Sequence, residues 1–583
     1  MARQERDRAN DAAVTAEQKA RTAERISEFL VGLFEASDPN EAKGKSISAH
    51  ELLDIGAARI RALDEEPEIK VELQETIGWV FLVLGRINDA RPLLDGALKY
   101  REANAAGNEA ELAQCLHMVA NLHDLAGDYK LAEPLAEKSL KLREQLFGDS
   151  RAVAQSLNTL GNVLWHQDRL EEASVLHRRA LKIRERLLPA DHEDIAQSLH
   201  NLGALRYFAN DLAEAERMYK RAIEIESASD SEGNHALATS MHVLAIVYQD
   251  QGKYAEAIEL EEQSIAVKKE VLGEAHPYVA LGLTTLGNIH RLSDRPELAE
   301  PEIRRAIEIA EAAWGREYGE VWWMRRSLAE ALRALDRTED AIAELEDLIG
   351  TIEGADRLGS LPSNLNLLAD IHREAGRLNQ AETLYRRSME IDSTELERGE
   401  AGAMKTLIGL ARTLYRLERL EEAEISFRKA LSAMKREWGE EDREVLEAQN
   451  DFAELLLERG KGAEARELAE TVRAAYRKGA EAPLARPHEL IDAARACVRT
   501  PIKELRDPNS AVEFARRAVD TTERRHPVYL AVLAEALNAA GDAPAAVGVQ
   551  TEALNLLKAD SPRRARFEEV LRRYTQGENA SGD

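Results

Sequence analysis

Histidine is the residue type in this sequence that could most directly support metal or acid–base chemistry. The 583 residues include fourteen histidines, and three of them, His117, His200 and His242, stand at equivalent places of a repeating pattern. A zinc ion needs ligands within about 2.3 Å of one point, whereas equivalent residues on successive packed helices lie about 10 Å apart. We therefore predict that these histidines bind no metal and that the protein uses no cofactor.

No catalytic motif accompanies the histidines. The sequence offers neither a nucleophile in a sharp strand-to-helix turn nor a glycine loop of the kind that cradles phosphates. The two cysteines, Cys115 and Cys497, lie far apart in the sequence and are predicted to be small core residues. We expect no catalytic residue and no enzymatic activity.

Charge and hydrophobicity limit the possible partners. Lys and Arg number 78 and Asp and Glu number 106, which gives a formal net charge of −28. Nucleic acid is disfavoured as a partner because phosphate contacts require a basic surface. The longest apolar run, WVFLVLG from Trp79, is far shorter than the roughly 20 residues of a membrane-spanning helix. We expect a soluble, cytoplasmic protein, or an extracytoplasmic one if the chain is part of a membrane-linked receptor.

The elements that must position any site follow from a repeat of about 42 residues. A small residue, called the marker below, recurs at Gly78, Ala120, Gly161, Gly203, Ala245, Gly287, Ala329, Ala369, Ala411, Ala453, Ala494 and Ala534. Alanine stands twelve positions after eleven of these twelve markers, and Ala511 takes that role after Ala494, where RTPIKELRDPNSA lengthens the turn. A third small residue follows seven positions later in most repeats.

Small residues at fixed offsets are what closely packed antiparallel helices require. Turn signals such as LGR, AGD, AND and QGK separate the two helices of each repeat. A single hairpin cannot bury a core, so successive hairpins must stack on one another. The sequence predicts an all-α solenoid of about twelve helical hairpins.

The stretch NTLGNVLWHQDRLEEASVLHRRALKIRERLL resembles a tetratricopeptide repeat (TPR), and the extension VLGEAHPYVA is similar to that of kinesin light chain repeats. The resemblance covers roughly residues 66 to 560. It implies a right-handed superhelix with a concave groove that is lined by the first helix of each hairpin.

Polar and aromatic residues repeat at fixed places around the marker on these first helices, and we predict that they line the groove. Amides can pair with the backbone of an extended peptide, while Trp and Tyr offer flat anchoring surfaces. The alternative is that they only solvate an exposed face or pack within the repeats. The candidate residues are Gln114, His117, Asn121, Gln155, Asn158, Asn162, Trp165, Gln197, His200, Tyr207, His242, Gln249, Asn288, Arg291, Trp323 and Arg326.

These features predict a non-catalytic scaffold that binds a partner protein or an extended peptide, with possible self-association through the solenoid ends. Residues 1–65 are predicted to form an N-terminal helix and a degenerate capping hairpin, and residues 561–583 a closing helix and a frayed tail. The segment FLVGLFEASDPNEAKGKSISAHELLDIGAARI resembles the TPR tail of bacterial membrane-linked serine/threonine kinases, although no kinase motif is present. The alternative function is therefore a sensor arm of a kinase system that is encoded elsewhere or lost from this chain.

Overall fold

A computed structural model of the chain describes residues 49–60, 66–228, 235–355, 358–391, 401–482, 485–522, 524–557 and 563–576. Single described positions are Arg25, Ser27, Phe29, Val31, Leu63 and Ser561. Most of the predicted N-terminal helix and the predicted frayed tail lie outside the described residues. The chain divides into two compact units, which we call unit 1 (Met1–Asp230) and unit 2 (Ser231–Asp583).

Unit 1 contains one single helix and four helical hairpins in its described part. Its helices are α1 (Ala49–Ile60), α2 (Pro67–Val83), α3 (Ile87–Ala103), α4 (Glu109–Leu125), α5 (Tyr129–Phe147), α6 (Arg151–His166), α7 (Leu170–Leu187), α8 (Glu193–Phe208) and α9 (Leu212–Ser227).

Unit 2 contains eight hairpins and a closing helix in its described part. Its helices are α10 (His235–Asp250), α11 (Tyr254–Leu272), α12 (Pro277–Leu292), α13 (Pro296–Trp314), α14 (Gly319–Ala334), α15 (Thr338–Gly354), α16 (Leu361–Glu374), α17 (Leu378–Ile391), α18 (Ala401–Arg416), α19 (Leu420–Trp438), α20 (Arg443–Glu458), α21 (Gly462–Glu481), α22 (Pro487–Arg499), α23 (Pro508–Thr521), α24 (Pro527–Ala539), α25 (Ala543–Leu556) and α26 (Arg564–Thr575). Two short 3-10 turns, Leu358–Ser360 and Lys503–Leu505, precede α16 and α23.

The predicted small residues are the points at which the helices of each hairpin meet. Every marker is buried in the middle of a first helix, and the alanine that follows it by twelve positions is buried in the second helix. Ala511 is buried as well, in the hairpin with the lengthened turn. The predicted all-α solenoid of hairpins is therefore confirmed.

The third small residue lies where the second helix packs on the first helix of its own hairpin, and Ser139 Oγ also lies 3.2 Å from Ser156 Oγ on the first helix of the next hairpin. Ser139 and Ser264 are completely buried, and each donates its hydroxyl to a backbone oxygen 26 residues upstream, at 2.7 Å in both cases. Within each unit, successive helices contact one another, and first helices of neighbouring hairpins also touch, as α4 and α6 do in unit 1 and α12 and α14 in unit 2. First helices therefore form a continuous layer within each unit.

The turn of the hairpin is set by a residue with positive φ, seven positions after the marker. This residue is glycine in six hairpins, as in Gly85 and Gly127, and Asp, Asn or Glu in five others, as in Asp168 and Asn210. The next residue donates its N–H back into the first helix, for example from Arg86 to the oxygen of Phe81 at 2.8 Å. This is the left-handed helix end that glycine and asparagine adopt most easily.

No described helix is long and apolar enough to cross a membrane.

Candidate binding face of the first helices

Each unit has a first-helix face, which we define as the surface formed by α4, α6 and α8 in unit 1 and by α10, α12 and α14 in unit 2. All sixteen candidate residues lie on these six helices. Their side chains differ widely in exposure: Gln114, Gln197 and Trp323 are exposed, Asn158 is buried, and the other twelve are half-buried.

His117 and Asn121 connect two neighbouring first helices of unit 1. The amide of Asn121 donates to the backbone oxygen of His117 at 2.8 Å and reaches Thr159 Oγ1 at 3.3 Å. His117 Nδ1 also lies 3.3 Å from Thr159 Oγ1, and its ring stacks on Trp79. Burial lowers the pKa of His117 to about 3, with a smaller contribution from Arg143. This histidine is therefore neutral near pH 7 and holds α4 against α6.

Asn158 does not lie on an accessible surface, contrary to the expectation from the sequence. Only 8% of it is exposed, and its Oδ1 accepts hydrogen bonds from His177 Nδ1 at 3.0 Å and from Asn201 Nδ2 at 2.8 Å. The physical reason is its spacing from the marker Gly161, because residues three apart share one face of a helix. Asn158 consequently faces the second helix of its own hairpin.

Gln114 and Gln197 are exposed, and each is oriented by a buried arginine. Arg143 donates to Gln114 Oε1, to the backbone oxygen of Ala152 at 2.8 Å and to Ser156 Oγ at 3.0 Å. Arg143 is almost fully buried, and burial lowers its pKa to about 10.

Arg184 on α7 makes a similar set of hydrogen bonds, but all its partners lie on α8, in the following hairpin. It donates to Gln197 Oε1 at 3.0 Å and to Asp194 O and Ser198 Oγ, both at 2.7 Å. Sequence reasoning missed these two arginines, although both stand 23 positions after a marker.

Aromatic rings gather at the end of the first helices in unit 1. Trp165 lies 5.7 Å from Phe208 and Tyr207 lies 5.7 Å from the same ring, measured between centroids. His200 instead points into its hairpin, edge-on to the buried Tyr219 at 5.3 Å. Gln155 and Asn162 are both partly exposed on α6, and Asn162 receives a 3.4 Å contact from Asn201.

An apolar set near these rings was also missed by the sequence reasoning. Val83, Leu125 and Phe208 follow their markers by five positions, and each is more than half exposed. We call these three residues the apolar rim of unit 1. A repeated apolar residue at this offset is the signal that could have identified it.

In unit 2 two of the candidates are held by neighbouring side chains. His242 Nδ1 lies 2.9 Å from Oε1 of the fully buried Glu261. Asn288 donates to Ser327 Oγ at 3.1 Å and so connects α12 to α14.

Five of the six candidates in unit 2 meet in one pocket of about 340 Å³. Its lining includes Gln249, Asn288, Arg291, Trp323 and Arg326. Trp323 is 41% exposed, whereas its neighbour Trp322 is buried and donates its ring N–H to the oxygen of Arg316 at 2.9 Å. Arg291 and Arg326 both reach Glu330, at 2.8 and 3.6 Å. We call this site the Trp323 pocket.

Among the described residues, no group of His, Cys, Asp or Glu has the arrangement of a metal site. His117, His200 and His242 each contact a different partner, namely Thr159, Tyr219 and Glu261.

Sequence models described as tetratricopeptide repeat match residues 152–228, 225–270, 236–312, 360–436 and 402–478, and further models of the same description match residues 112–151 and 527–549. No curated protein matches the sequence.

Solved structures similar to the chain include several helical repeat proteins. A putative kinesin light chain from Podosopora anserina is 20% identical, covers 34% of this chain and 93% of its own, and has a TM-score of 0.31. A Rap protein complexed with competence and sporulation factor is 15% identical, with 63% and 98% coverage and a TM-score of 0.43. Yeast Tom70 is 16% identical, with 88% and 96% coverage and a TM-score of 0.35.

The family matches together span residues 112–312, 360–478 and 527–549, which confirms the repeat predicted from the marker series. Solenoids of this family typically mediate protein–protein interaction and are generally non-catalytic. The chain belongs to the tetratricopeptide repeat family.

Proposed function

We propose that this protein is a non-catalytic scaffold that binds an extended segment of a partner protein on the first-helix face of unit 2, with the Trp323 pocket as the anchor site. The observation that carries the proposal is the convergence of Gln249, Asn288, Arg291, Trp323 and Arg326 on one pocket.

The chemistry of this pocket suits a peptide. An exposed tryptophan provides a large, rigid contact surface, and Trp and Arg are the residues that most often dominate the energy of protein interfaces. Gln249 supplies an amide, and Asn288 Oδ1 is buried without a hydrogen-bond partner among the described residues. An amide donor of a peptide backbone would satisfy that oxygen.

Rigidity favours binding as well. Asn288 and Ser327 both line the pocket and connect α12 to α14, so the pocket is formed before a ligand arrives. A preformed site loses little conformational entropy on binding. The apolar rim of unit 1 offers a second surface of the kind that partners cover.

The test is affinity capture with the full chain as wild type, Trp323→Ala and Leu556→Ala. Trp323 and Leu556 are similarly exposed, at 41% and 45%, but Leu556 lies at the end of α25, outside the pocket. We expect a partner that is retained by wild type and Leu556→Ala and lost with Trp323→Ala. Equal recovery of every captured protein by all three baits would contradict the proposal.

The proposal includes the division of the chain into a cap at residues 1–65, a repeat array at 66–560 and a closing segment at 561–583. Phe29 and Leu53 pack against the core that contains Val71 and Leu73, which supports a capping role for the beginning of the chain. At the other end, α26 buries Phe567 and Tyr574. The alternative function, a sensor arm, rests on the resemblance of residues 29–60, of which the structure describes Phe29, Val31 and residues 49–60, and it stays a prediction.

A further inference from the structure

Unit 2 contains a second, larger cavity of about 860 Å³, which is open to solvent on one side. One wall comes from α12, α14 and α16, and the opposite wall from α22, α24 and α26, which are far away in the sequence. We call it the arginine cavity. It shares Arg291 and Glu330 with the Trp323 pocket, and its other lining residues are different.

The two walls contact each other directly. Arg563, just before α26, forms an ion pair with Asp294 in the turn after α12. Close by, the ring of His526 at the start of α24 lies 6.4 Å from the ring of Tyr254 at the start of α11. These contacts within unit 2 therefore hold the two walls of the cavity together.

The charge of the cavity is opposite to that of the protein. Seven arginines and four carboxylates line it, so its walls carry an excess of three positive charges, whereas the whole chain carries −28. Arg291 and Arg333 belong to the first wall. Arg495, Arg499, Arg563, Arg566 and Arg573 belong to the second wall.

The arginines differ in how far they are neutralised within the protein. Arg333 donates to Glu374 through Nε and Nη2. Arg499 donates to the two oxygens of Glu535 at 2.8 and 2.6 Å. Arg566 makes no ion pair with any described residue.

Arg495 is incompletely satisfied. Its Nη1 is 3.9 Å from Asp492 Oδ1, and its buried Nε has no hydrogen-bond partner in the described part of the chain. Asp492 is shared, because Arg443 approaches its other oxygen at 2.9 Å.

The crowding of these cations has an electrostatic signature. Burial lowers the pKa of Arg563, and repulsion by Arg566 and Arg291 lowers it further. The pKa of Arg495 is lowered by burial and by Arg499 in the same way. A bound anion would relieve this repulsion.

Apolar side chains form part of the same lining. Val528 and Val532 of α24 and Phe567 and Val570 of α26 stand beside the arginines. A ligand that combines anionic groups with apolar side chains would match both the arginines and the apolar residues of the lining. The volume of the arginine cavity lies within the range of ordinary ligand pockets, roughly 300 to 1,000 Å³. A small inorganic anion would leave the apolar part unoccupied.

We propose that the arginine cavity binds a short acidic segment of a partner protein, whose carboxylate or phosphoryl groups pair with Arg495 and Arg566 while its apolar side chains pack on Val532 and Val570. This cavity proposal rests on the proposed function, because it names the chemistry of the partner protein. The side chains that would bind the partner are different from those of the Trp323 pocket. Nucleic acid is disfavoured because a long polyanion would have to continue across the acidic surface outside the cavity.

The experiment measures fluorescence anisotropy of labelled peptides with the full chain. The probes are a peptide of alternating Glu and Val, its Gln and Val counterpart, and a version with phosphoserine in place of Glu. We expect the two acidic peptides to bind and the Gln peptide not to bind, and the tighter of the two identifies carboxylate or phosphate as the source of the charge. Affinity should fall as the ionic strength rises from about 0.01 to about 0.15 M, because the screening length shrinks from about 30 to about 8 Å.

Two variants with the same net charge distinguish binding inside the cavity from a general effect of the protein's charge on peptide affinity. Arg566→Glu places the charge reversal inside the cavity. Arg305→Glu places it on α13, where Arg305 pairs with Glu308 and does not line the cavity. We expect about a tenfold loss of affinity for Arg566→Glu, as for the loss of one charge-assisted hydrogen bond, and no change for Arg305→Glu.

Three results would overturn the proposal: equal binding of the acidic and Gln peptides, equal affinity of the two charge variants, or binding of tripolyphosphate with none of the acidic peptides. Trp323→Ala distinguishes this proposal from the proposed function, because Trp323 does not line the arginine cavity. Acidic-peptide binding that survives Trp323→Ala and is lost in Arg566→Glu supports the cavity even if the Trp323 pocket binds nothing.

Discussion

At the scale of single residues, the marker glycines provide room for a large side chain of the second helix. A Cβ at Gly287 would lie 2.6 Å from Ile303 Cγ1 and 3.2 Å from the backbone oxygen of Ala299, whereas a Cβ at Gly350, also within a helix of unit 2, would meet nothing within 4 Å. We expect Gly287→Ala to destabilise unit 2 by about 1–3 kcal/mol through overpacking. Gly350→Ala should stabilise it by about 0.5–1 kcal/mol, because alanine restricts the unfolded chain.

Denaturant unfolding of the two glycine variants, followed by circular dichroism, checks this pair. Equal stabilities of the two variants would show that the contact at Ile303 does not limit the approach of the helices.

His177 predicts a pH dependence of stability. It packs over Gly161 and donates to Asn158, and its Nε2 has no hydrogen-bond partner among the described residues. Burial together with Arg184 lowers its pKa from 6.5 to about 4. The unfolded chain therefore binds a proton between pH 6.5 and 4 that the folded chain does not. Stability from this residue is fully present above pH 6.5 and decreases by about 3 kcal/mol as the pH falls to 4.

Unfolding at several pH values should accordingly show a weaker acid dependence for His177→Gln than for wild type. His166 offers a control of opposite sign, because the hydrogen bond to Asp124 raises its pKa. His166→Gln should lose stability that is present below pH 6.5 and that disappears as the pH rises above the folded pKa. An unchanged pH profile of His177→Gln would contradict the neutral state assigned to this ring.

At the scale of elements, the sequence predicted the hairpins well because the requirement for small residues is local and repeats. Two helices can cross closely only at Gly or Ala, so the markers and their partners located every described hairpin from α2 to α25. The sequence predicted less well which side chains of each first helix point toward the second helix and which point to the surface. Asn158 was assigned to the surface although it shares a helix face with the buried Gly161, and that spacing already indicated an inward direction.

The buried arginines Arg143 and Arg184 connect consecutive hairpins of unit 1 by several hydrogen bonds. Arg184 on α7 donates to Asp194 O, Ser198 Oγ and Gln197 Oε1 on α8, while Arg186, two residues later, is 59% exposed and pairs with Asp149. We expect Arg184→Ala to destabilise unit 1 by about 2–4 kcal/mol, because it leaves buried acceptors unpaired and opens space. Arg186→Ala should cost less than about 1 kcal/mol, as a surface ion pair does.

Thermal unfolding of the two arginine variants measures the difference. Equal effects of the two substitutions would mean that the buried hydrogen bonds of Arg184 contribute no net stability.

At the scale of the whole molecule, stacked repeats transmit stability mainly between neighbours. Phe567 of α26 is buried against the last hairpin, and Gln550 of α25 donates to its backbone oxygen at 3.1 Å. We expect Phe567→Ala to lose about 3–5 kcal/mol locally and to increase amide hydrogen exchange in α24, α25 and α26. Exchange in α4 to α9 should stay unchanged, and an equal increase throughout the chain would show that the protein unfolds as one cooperative body.

The arginine cavity shows what the sequence could not predict. Arg291 and Arg566 are far apart in the chain, and their approach depends on the small rotations added by every hairpin between them. A repeat period specifies the hairpin and its neighbours, but it does not specify the curvature with enough accuracy to bring two distant walls together. The Trp323 pocket was easier to predict, because its residues come from three adjacent first helices.

The two-walled construction of the arginine cavity also has a mechanical consequence. A stack of hairpins can be extended elastically, so that distant hairpins move apart while the contacts between neighbouring hairpins are kept. The arginine cavity exists only while its two walls lie against each other, so extension of unit 2 would separate α14 from α26 and open the cavity. Binding and elastic extension of unit 2 would then oppose each other, so that tension applied to the two ends of the unit would release the ligand.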